Sequence, residues 1–404
     1  MSDERDIYCD NRRINDLAYM WHSATEFLFS DNDFYDRPIG KVHSIVRRNI
    51  SEYHDRATVQ YLYAPATKVR ARLHVQGYTR EKCIALWGKE HARHLLRLEE
   101  IKGHADYDFS AEIEAQRGLT FETWEAREEA RNADHMFRWG GLHLFNFADT
   151  FAELALHIDT YKPKVVWTDL SSFYADQFDP KLTLHENLRR SPAEHEVDHI
   201  EAVGDVLILT EGPSDTRILA SAIQAMYPEF ADMFSFVDFE EFKVEGGASP
   251  LTKMVRAFAG VRMSQRILAL FDNDAAGHEQ NTLLRRMKLP PNIRSMTLPD
   301  PVMARRYPTI GPEGLRSMDI NGAACSIELF LGRSSLLGME GKLHPVRWSS
   351  WNKNAGRYQG ELENKSSATD KFITAMRSGE TPAKLKAKFK DMNDLLISIF
   401  RAFD

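Results

Sequence analysis

The sequence predicts an α/β protein. A mainly parallel sheet flanked by helices occupies residues 201–332, a mixed, largely helical region precedes it (1–200), and a basic extension follows (333–404). Three observations predict this. Short apolar runs alternate with helix-period segments from 205 to 298, the pattern of βα units. Charge divides sharply along the chain: residues 201–280 hold 6 Lys+Arg against 13 Asp+Glu, whereas residues 281–404 hold 20 against 12. The length of 404 residues suggests two or three domains, at ~100–200 residues each.

In the first 200 residues, apolar positions at helical spacing predict helices over 84–98 (Ala85, Leu86, Leu95, Leu96, Leu98), 121–137 and 145–157. Residues 61–64 and 165–168 read as strands. A charged, turn-rich stretch, 169–201, contains Asp179-Pro180 and Ser191-Pro192 and is where a domain boundary is expected. The apolar run 205–210 then reads as a buried strand. Ser214 is the expected N-cap of a helix carrying Ile218, Leu219, Ile223 and Met226. Strands follow over 234–239, 266–271 and 293–298, with helices over 250–261 and 275–287 between them.

Composition excludes several classes. At 43% hydrophobic and 27% charged, the chain is neither disordered nor collagenous. Its three cysteines, Cys9, Cys83 and Cys325, are far apart with no CxxC, so neither a disulfide framework nor a zinc ribbon is expected. No apolar run approaches the ~18–20 residues of a membrane span, and the acidic start MSDERDIYCD is unlike a signal peptide. A soluble cytoplasmic protein is expected.

In open α/β sheets, ligands bind at the carboxyl ends of the strands. Glu211 follows the first predicted strand of the sheet and Asp215 lies one helical turn beyond it; Asp272 and Asp274 follow the third. Carboxylates held this close repel one another unless protonated or neutralised by a cation. An all-oxygen set suits Mg2+ or Mn2+. Taken singly, Asp215 or Asp274 reads as a helix cap; it is the set that points to a metal. Gly212 and Gly277 would let backbone or phosphate approach closely.

The segments LILTEGPSD (207–215) and ILALFDNDAAG (267–277) resemble the two signature motifs of the Toprim fold, shared by topoisomerases, bacterial-type primases, recombination-repair proteins and OLD-family nucleases. The resemblance implies that Glu211 is a metal ligand or general acid/base and that Asp272 and Asp274 hold Mg2+. The whole chain resembles the HEPN/Toprim-associated proteins of bacteria, through IYCDNR (7–12) and RARLHVQGYT (70–79) as well. Similarity to OLD-type sites extends to Glu328, as a further metal ligand with Asp215, and to Lys365, as a stabiliser of developing charge. The expected activity is a Mg2+-dependent (or Mn2+-dependent) endonuclease that hydrolyses DNA, in bacterial defence against phage. An RNA or tRNA nuclease and a non-catalytic nucleic-acid sensor are the alternatives.

Other features rank lower. Arg285, Arg286, Arg305 and Arg306 are candidate phosphate contacts. The lysines 384, 386, 388 and 390 read as a solvated helix face. Trp348 and Trp351 read as core packing before base stacking. Two Arg-x4-His matches, Arg138…His143 and Arg190…His195, are at the level of chance, and His91…His94 reads as an exposed helix face. No GxxxxGK[ST] is present, so control falls to residues 1–200, expected to dock, dimerise or sense, or to a separate regulatory or ATPase chain.

Overall fold

The structure, a computed structural model, describes residues 7–14, 28–50, 57–101, 109–130, 149–170, 205–338, 340–353 and 356–404. The chain divides into two units, Met1–Val203 with Asp404, and Gly204–Phe403. Both Arg-x4-His matches, and the stretch 171–200, lie outside the described residues.

The first unit holds more sheet than the sequence predicts. Strands β1 (Ile7–Cys9), β2 (Arg12–Ile14), β3 (Phe34–Pro38), β4 (Thr58–Pro65) and β5 (Val165–Asp169) form one antiparallel sheet in the order β2-β1-β5-β4-β3. Only β4 and β5 are legible in advance. β1 and β2 have three residues each, and β3 (FYDRP) carries two charges and a proline at the sheet edge. The predicted helices appear as Arg80–Ile101, Phe121–Ala130 and Thr150–Tyr161. Their apolar faces share a core with the sheet, including Leu62, Leu73, Trp87, Trp124, Phe151 and Val166. His91 and His94 are half-buried rather than exposed; His91 Nε2 lies 3.0 Å from the Gln116 carbonyl oxygen.

In the second unit, β6 (Val206–Leu209), β7 (Phe234–Phe236), β8 (Ile267–Phe271) and β10 (Ile293–Thr297) form a wholly parallel sheet in the order β10-β8-β6-β7. The chain crosses from β6 outward to β7, returns past β6 to β8, and continues to β10. Right-handed crossovers place the first connecting helix, Pro213–Met226, on one face and the next two, Ala248–Gly260 and Ala275–Arg285, on the other. The last two pack together over Leu209, Ile267, Ala269, Phe271 and Ile293. Alternate residues Ile208, Leu268 and Leu270 are buried on the opposite face. The direction of winding reverses between β6 and β8, so the crevice at a doubly wound sheet's switch point opens at their carboxyl ends.

Residues 333–403 are not a separate body. β11 (Tyr307–Gly311) and β12 (Gly314–Met318) join β14 (Val346–Asn352) and β15 (Arg357–Leu362) in a second sheet, β12-β11-β14-β15. Thr309 pairs with Val346 across the boundary expected at 332/333. Helices Lys365–Met376, Pro382–Lys388 and Lys390–Phe400 pack on Pro213–Met226. No helix among the described residues is long and apolar enough to cross a membrane.

Candidate active site

Glu211 leaves the end of β6 and Asp272 the end of β8, neighbours at the switch point. They meet across 61 positions of sequence: the backbone N–H of Asp272 donates to Glu211 Oε1 at 2.9 Å. The Glu211 main chain is held in turn, its carbonyl accepting from the N–H of Gly247 at 2.6 Å. Beyond Asp272 a short strand, β9 (Asn273–Asp274), pairs antiparallel with β13 (Ala324–Cys325), placing Asp274 opposite Ala324. That ladder draws in the following turn, Ile327–Phe330, where Glu328 is 2% exposed and accepts from the Ser326 hydroxyl. The same turn contacts helix Lys365–Met376 and so sets Lys365, its first residue, beside the acids.

Asp215 and Asp274 do the work of caps, as each reads when taken singly. Asp215 accepts from the N–H of Gly212 at 3.0 Å, and Asp274 from that of Gly277 at 2.7 Å. Gly212, not Ser214, is the N-cap of its helix, because Pro213 takes the first helical position. A carboxylate at a helix N-terminus is normally stabilised in its charged form. Both acids show the opposite. Burial, then the charge of Glu328, pushes Asp215 up to about 6. Burial likewise raises Asp274 against the pull of its backbone partners. Burial, with Asp274 and Asp215 adding, raises Glu211 to about 7. Asp272 rises well above the carboxylate range through burial and the charges of Asp215, Glu211, Glu328 and Asp274. The neighbouring thiol of Cys325 is raised by burial and then by the charges of Asp272, Asp300, Asp274 and Glu328.

Lys365 is the counter-charge. A cation at the first position of a helix opposes the macrodipole, so this placement needs an electrostatic reason. Burial draws its pKa down, but Glu328, Asp272 and Glu361 outweigh that and hold it above the usual lysine value. Its ammonium lies 3.3 Å from Glu361, and its charge lowers the pKa of Glu211, Asp215 and Asp274.

The acids face local donors rather than a common centre. Among the described residues, no three His, Cys, Asp or Glu side chains stand at the spacing of a metal site. Glu211, Asp215, Asp274 and Glu328 each hold a backbone N–H or a hydroxyl instead. Side-chain rotation off these donors is what a shared cation would require. The chemistry of the donor set nevertheless fits one: hard oxygens, buried and mutually repelling, with one lysine among them.

A second, neutral cluster borders the acids and is missed by the sequence reading. Asn273 is buried between the two aspartates; its amide NH2 donates to Asp300 Oδ1 at 2.7 Å and to the Pro299 carbonyl. Its Oδ1 therefore accepts, from the Gly322 N–H at 2.8 Å and from His278 Nε2 at 2.7 Å. This fixes the His278 proton on Nε2. Burial, then the charge of Arg357, lowers the His278 pKa and keeps the ring neutral at pH 7. The signal available in advance was Asp300, which follows the fourth strand of the parallel sheet as Glu211 and Asp272 follow theirs.

The predicted phosphate contacts separate. Arg285 and Arg286 are exposed at the far end of the helix that Asp274 caps, about 16 Å along its axis at ~1.5 Å per residue. They complement the C-terminal dipole and do not border the acids, because the helix runs away from the strands' carboxyl edge. Arg305 and Arg306 are exposed in the turn Val302–Arg306 that follows β10, on the site edge. Of the lysine run, Lys388 pairs with Glu380, Lys390 with Asp394, and Lys386 sits 3.5 Å over the Tyr227 ring.

Gly277 is where the backbone comes close. A Cβ there would lie 2.2 Å from the Asp272 carbonyl oxygen, so only glycine lets this helix start against the loop that carries the acid. Gly212 has open space around it. Gly277→Ala should therefore cost about 1–3 kcal/mol or more, read as a lower denaturation midpoint, whereas Gly212→Ala, which meets no clash and only weakens an N-cap, should cost about 1 kcal/mol or less. Equal midpoints for the two variants would contradict the close approach at Gly277. Compared with family models, with curated proteins and with solved structures, the chain matches none.

Proposed function

We propose that the chain is a Mg2+- or Mn2+-dependent endonuclease of the Toprim type that hydrolyses DNA phosphodiester bonds, in bacterial defence against foreign DNA. One observation carries the reading: five carboxylates and a lysine from distant parts of the sequence meet at the switch point of a parallel sheet, with the pKa values of Glu211, Asp215, Asp272 and Asp274 raised. A structural ion-pair network would depress those values. Acids kept together at an electrostatic cost suit a site that gathers cations. The Toprim-like motifs at 207–215 and 267–277 support the same reading.

Glu211, Asp272 and Asp274 would hold the principal divalent ion, with Asp215 and Glu328 serving a second. Bound, such ions supply an activated water and stabilise the leaving oxygen. The remaining work belongs to the chain itself. Lys365, on the same rim, offers its ammonium to the charge that develops on the phosphate. Glu211, at the edge of the ion it would help to hold, is also the candidate to take a proton. Arg305 and Arg306 contact flanking phosphates, which positions the strand without reading its sequence.

Incubation of the purified chain with supercoiled plasmid, and in parallel with labelled tRNA, tests this. Nicked or linear plasmid in Mg2+ or Mn2+ and none in EDTA is the expected result. Cleavage of tRNA alone would move the substrate to RNA. Binding without turnover in any divalent ion would make the chain a sensor and refute the enzymatic reading.

A further inference from the structure

The β14–β15 hairpin carries aromatic surface that the proposed chemistry does not use. Trp351 is 52% exposed and Tyr358 is 57% exposed, which corrects the expectation of core packing for Trp351. They are direct cross-strand partners with ring centroids 4.9 Å apart. Trp348, half-buried, is the third member, 6.3 Å from Tyr358. In a regular strand, residues 348 and 351 would point to opposite faces. The register shifts between Trp348 and Ser350, and the extra residue turns both tryptophans to one side. Gly360, opposite Trp348, leaves room for its ring, since a Cβ there would come within 2.9 Å. Among the described residues the Trp348 Nε1–H has no hydrogen-bond partner.

The hairpin's other side is polar and tied to the site. Asn352 meets Glu279, Arg357 donates to the Gly322 carbonyl at 3.1 Å, and Glu361 pairs with Lys365. In the turn between Trp351 and Tyr358 the sequence includes Lys353 and Arg357 and no acid, while Arg347 on β14 is paired with Glu363. A second copy of the chain presenting the same patch would be repelled by like charge. A polyanion with exposed ring faces is attracted on both counts.

We propose that this hairpin binds an unpaired nucleic-acid strand, its bases stacking on Trp351 and Tyr358 and its phosphates drawn by Lys353, exposed in the turn between them. β15, the sheet's edge strand, lies in contact with β13, whose partner β9 carries Asp274, so the hairpin adjoins the acids. The inference rests on the phosphodiesterase reading for what happens next, but binding itself needs no metal.

The test is fluorescence anisotropy in EDTA with labelled oligothymidylate, oligouridylate and a duplex of equal length. Wild type should bind the single strands more tightly than the duplex, and the two single strands separate a DNA from an RNA preference. Trp351→Ala with Tyr358→Ala should weaken single-strand binding by about tenfold or more and leave duplex binding and the melting temperature unchanged. Trp351→Phe with Tyr358→Phe should restore most of the loss. Unchanged single-strand affinity in the alanine pair would overturn the proposal. So would a fall in oligomeric mass on substitution, which would make the patch a self-association surface. Loss of binding in the alanine pair, from a wild type that cleaves nothing in any divalent ion, would sustain the hairpin's role and reject the nuclease alone.

Discussion

Asp272→Asn should reduce Mg2+-dependent cleavage by at least about 10²–10³-fold while making the metal-free protein more stable. The two effects have one cause. Asp272 lies at the centre of the cluster, with Asp215, Glu211, Glu328 and Asp274 all acting on its charge. In the absence of a divalent ion Lys365 alone offsets the charge of several acids, and an amide of the same shape reduces the repulsion without leaving a cavity. A gain of about 1 kcal/mol would raise the melting temperature by about 2–4 °C in a unit of this size. Thermal denaturation in EDTA and in Mg2+, beside a plasmid assay, reads both. Wild type should gain stability from Mg2+ by mass action, and the variant should gain little. A variant that melts lower than wild type in EDTA would show that Asp272 holds the fold together, and normal cleavage by it would remove it from the site.

What the sequence disclosed here follows from range. The four parallel strands and their helices were legible because buried apolar runs and helical periodicity are local signals, and the carboxyl-end rule then placed Glu211 and Asp272 side by side. Glu328 and Lys365 were legible by resemblance alone. Their approach depends on the two-residue β9–β13 ladder and on a helix packed against a turn, neither of which has a periodicity to read. Asn273 and His278 escaped because a buried amide bridging an imidazole and Asp300 leaves no pattern along the chain. Arg285 and Arg286 were misplaced for a related reason. Nearness in sequence to Asp274 was read as nearness in space, although the helix between them carries them away. In the first unit, β1 and β2, at three residues each, lay below the length at which alternation can be recognised, and the two charges and proline of β3 hid it.

The pH dependence of stability should change sign with the cation. A carboxyl whose pKa is raised by folding holds its proton more tightly in the folded chain. Its contribution to stability is complete below the unfolded value and is lost as pH rises through the folded value. For Glu211 the window runs from 4.5 to about 7, and for Asp215 from 3.8 to about 6. The metal-free protein should thus lose stability between about pH 4 and pH 7 as charge accumulates in the cluster. A divalent ion competes with those protons for the same oxygens, so its binding releases protons and tightens as pH rises. Melting temperatures in EDTA should fall across this range, and the increment due to saturating Mg2+ should grow across it. Glu211→Gln removes one titrating member of the set: the amide cannot titrate, so both slopes should flatten. Slopes identical to wild type in Glu211→Gln would mean that the acids at the switch point do not act as one electrostatic unit, and the case for a shared cation would go with them.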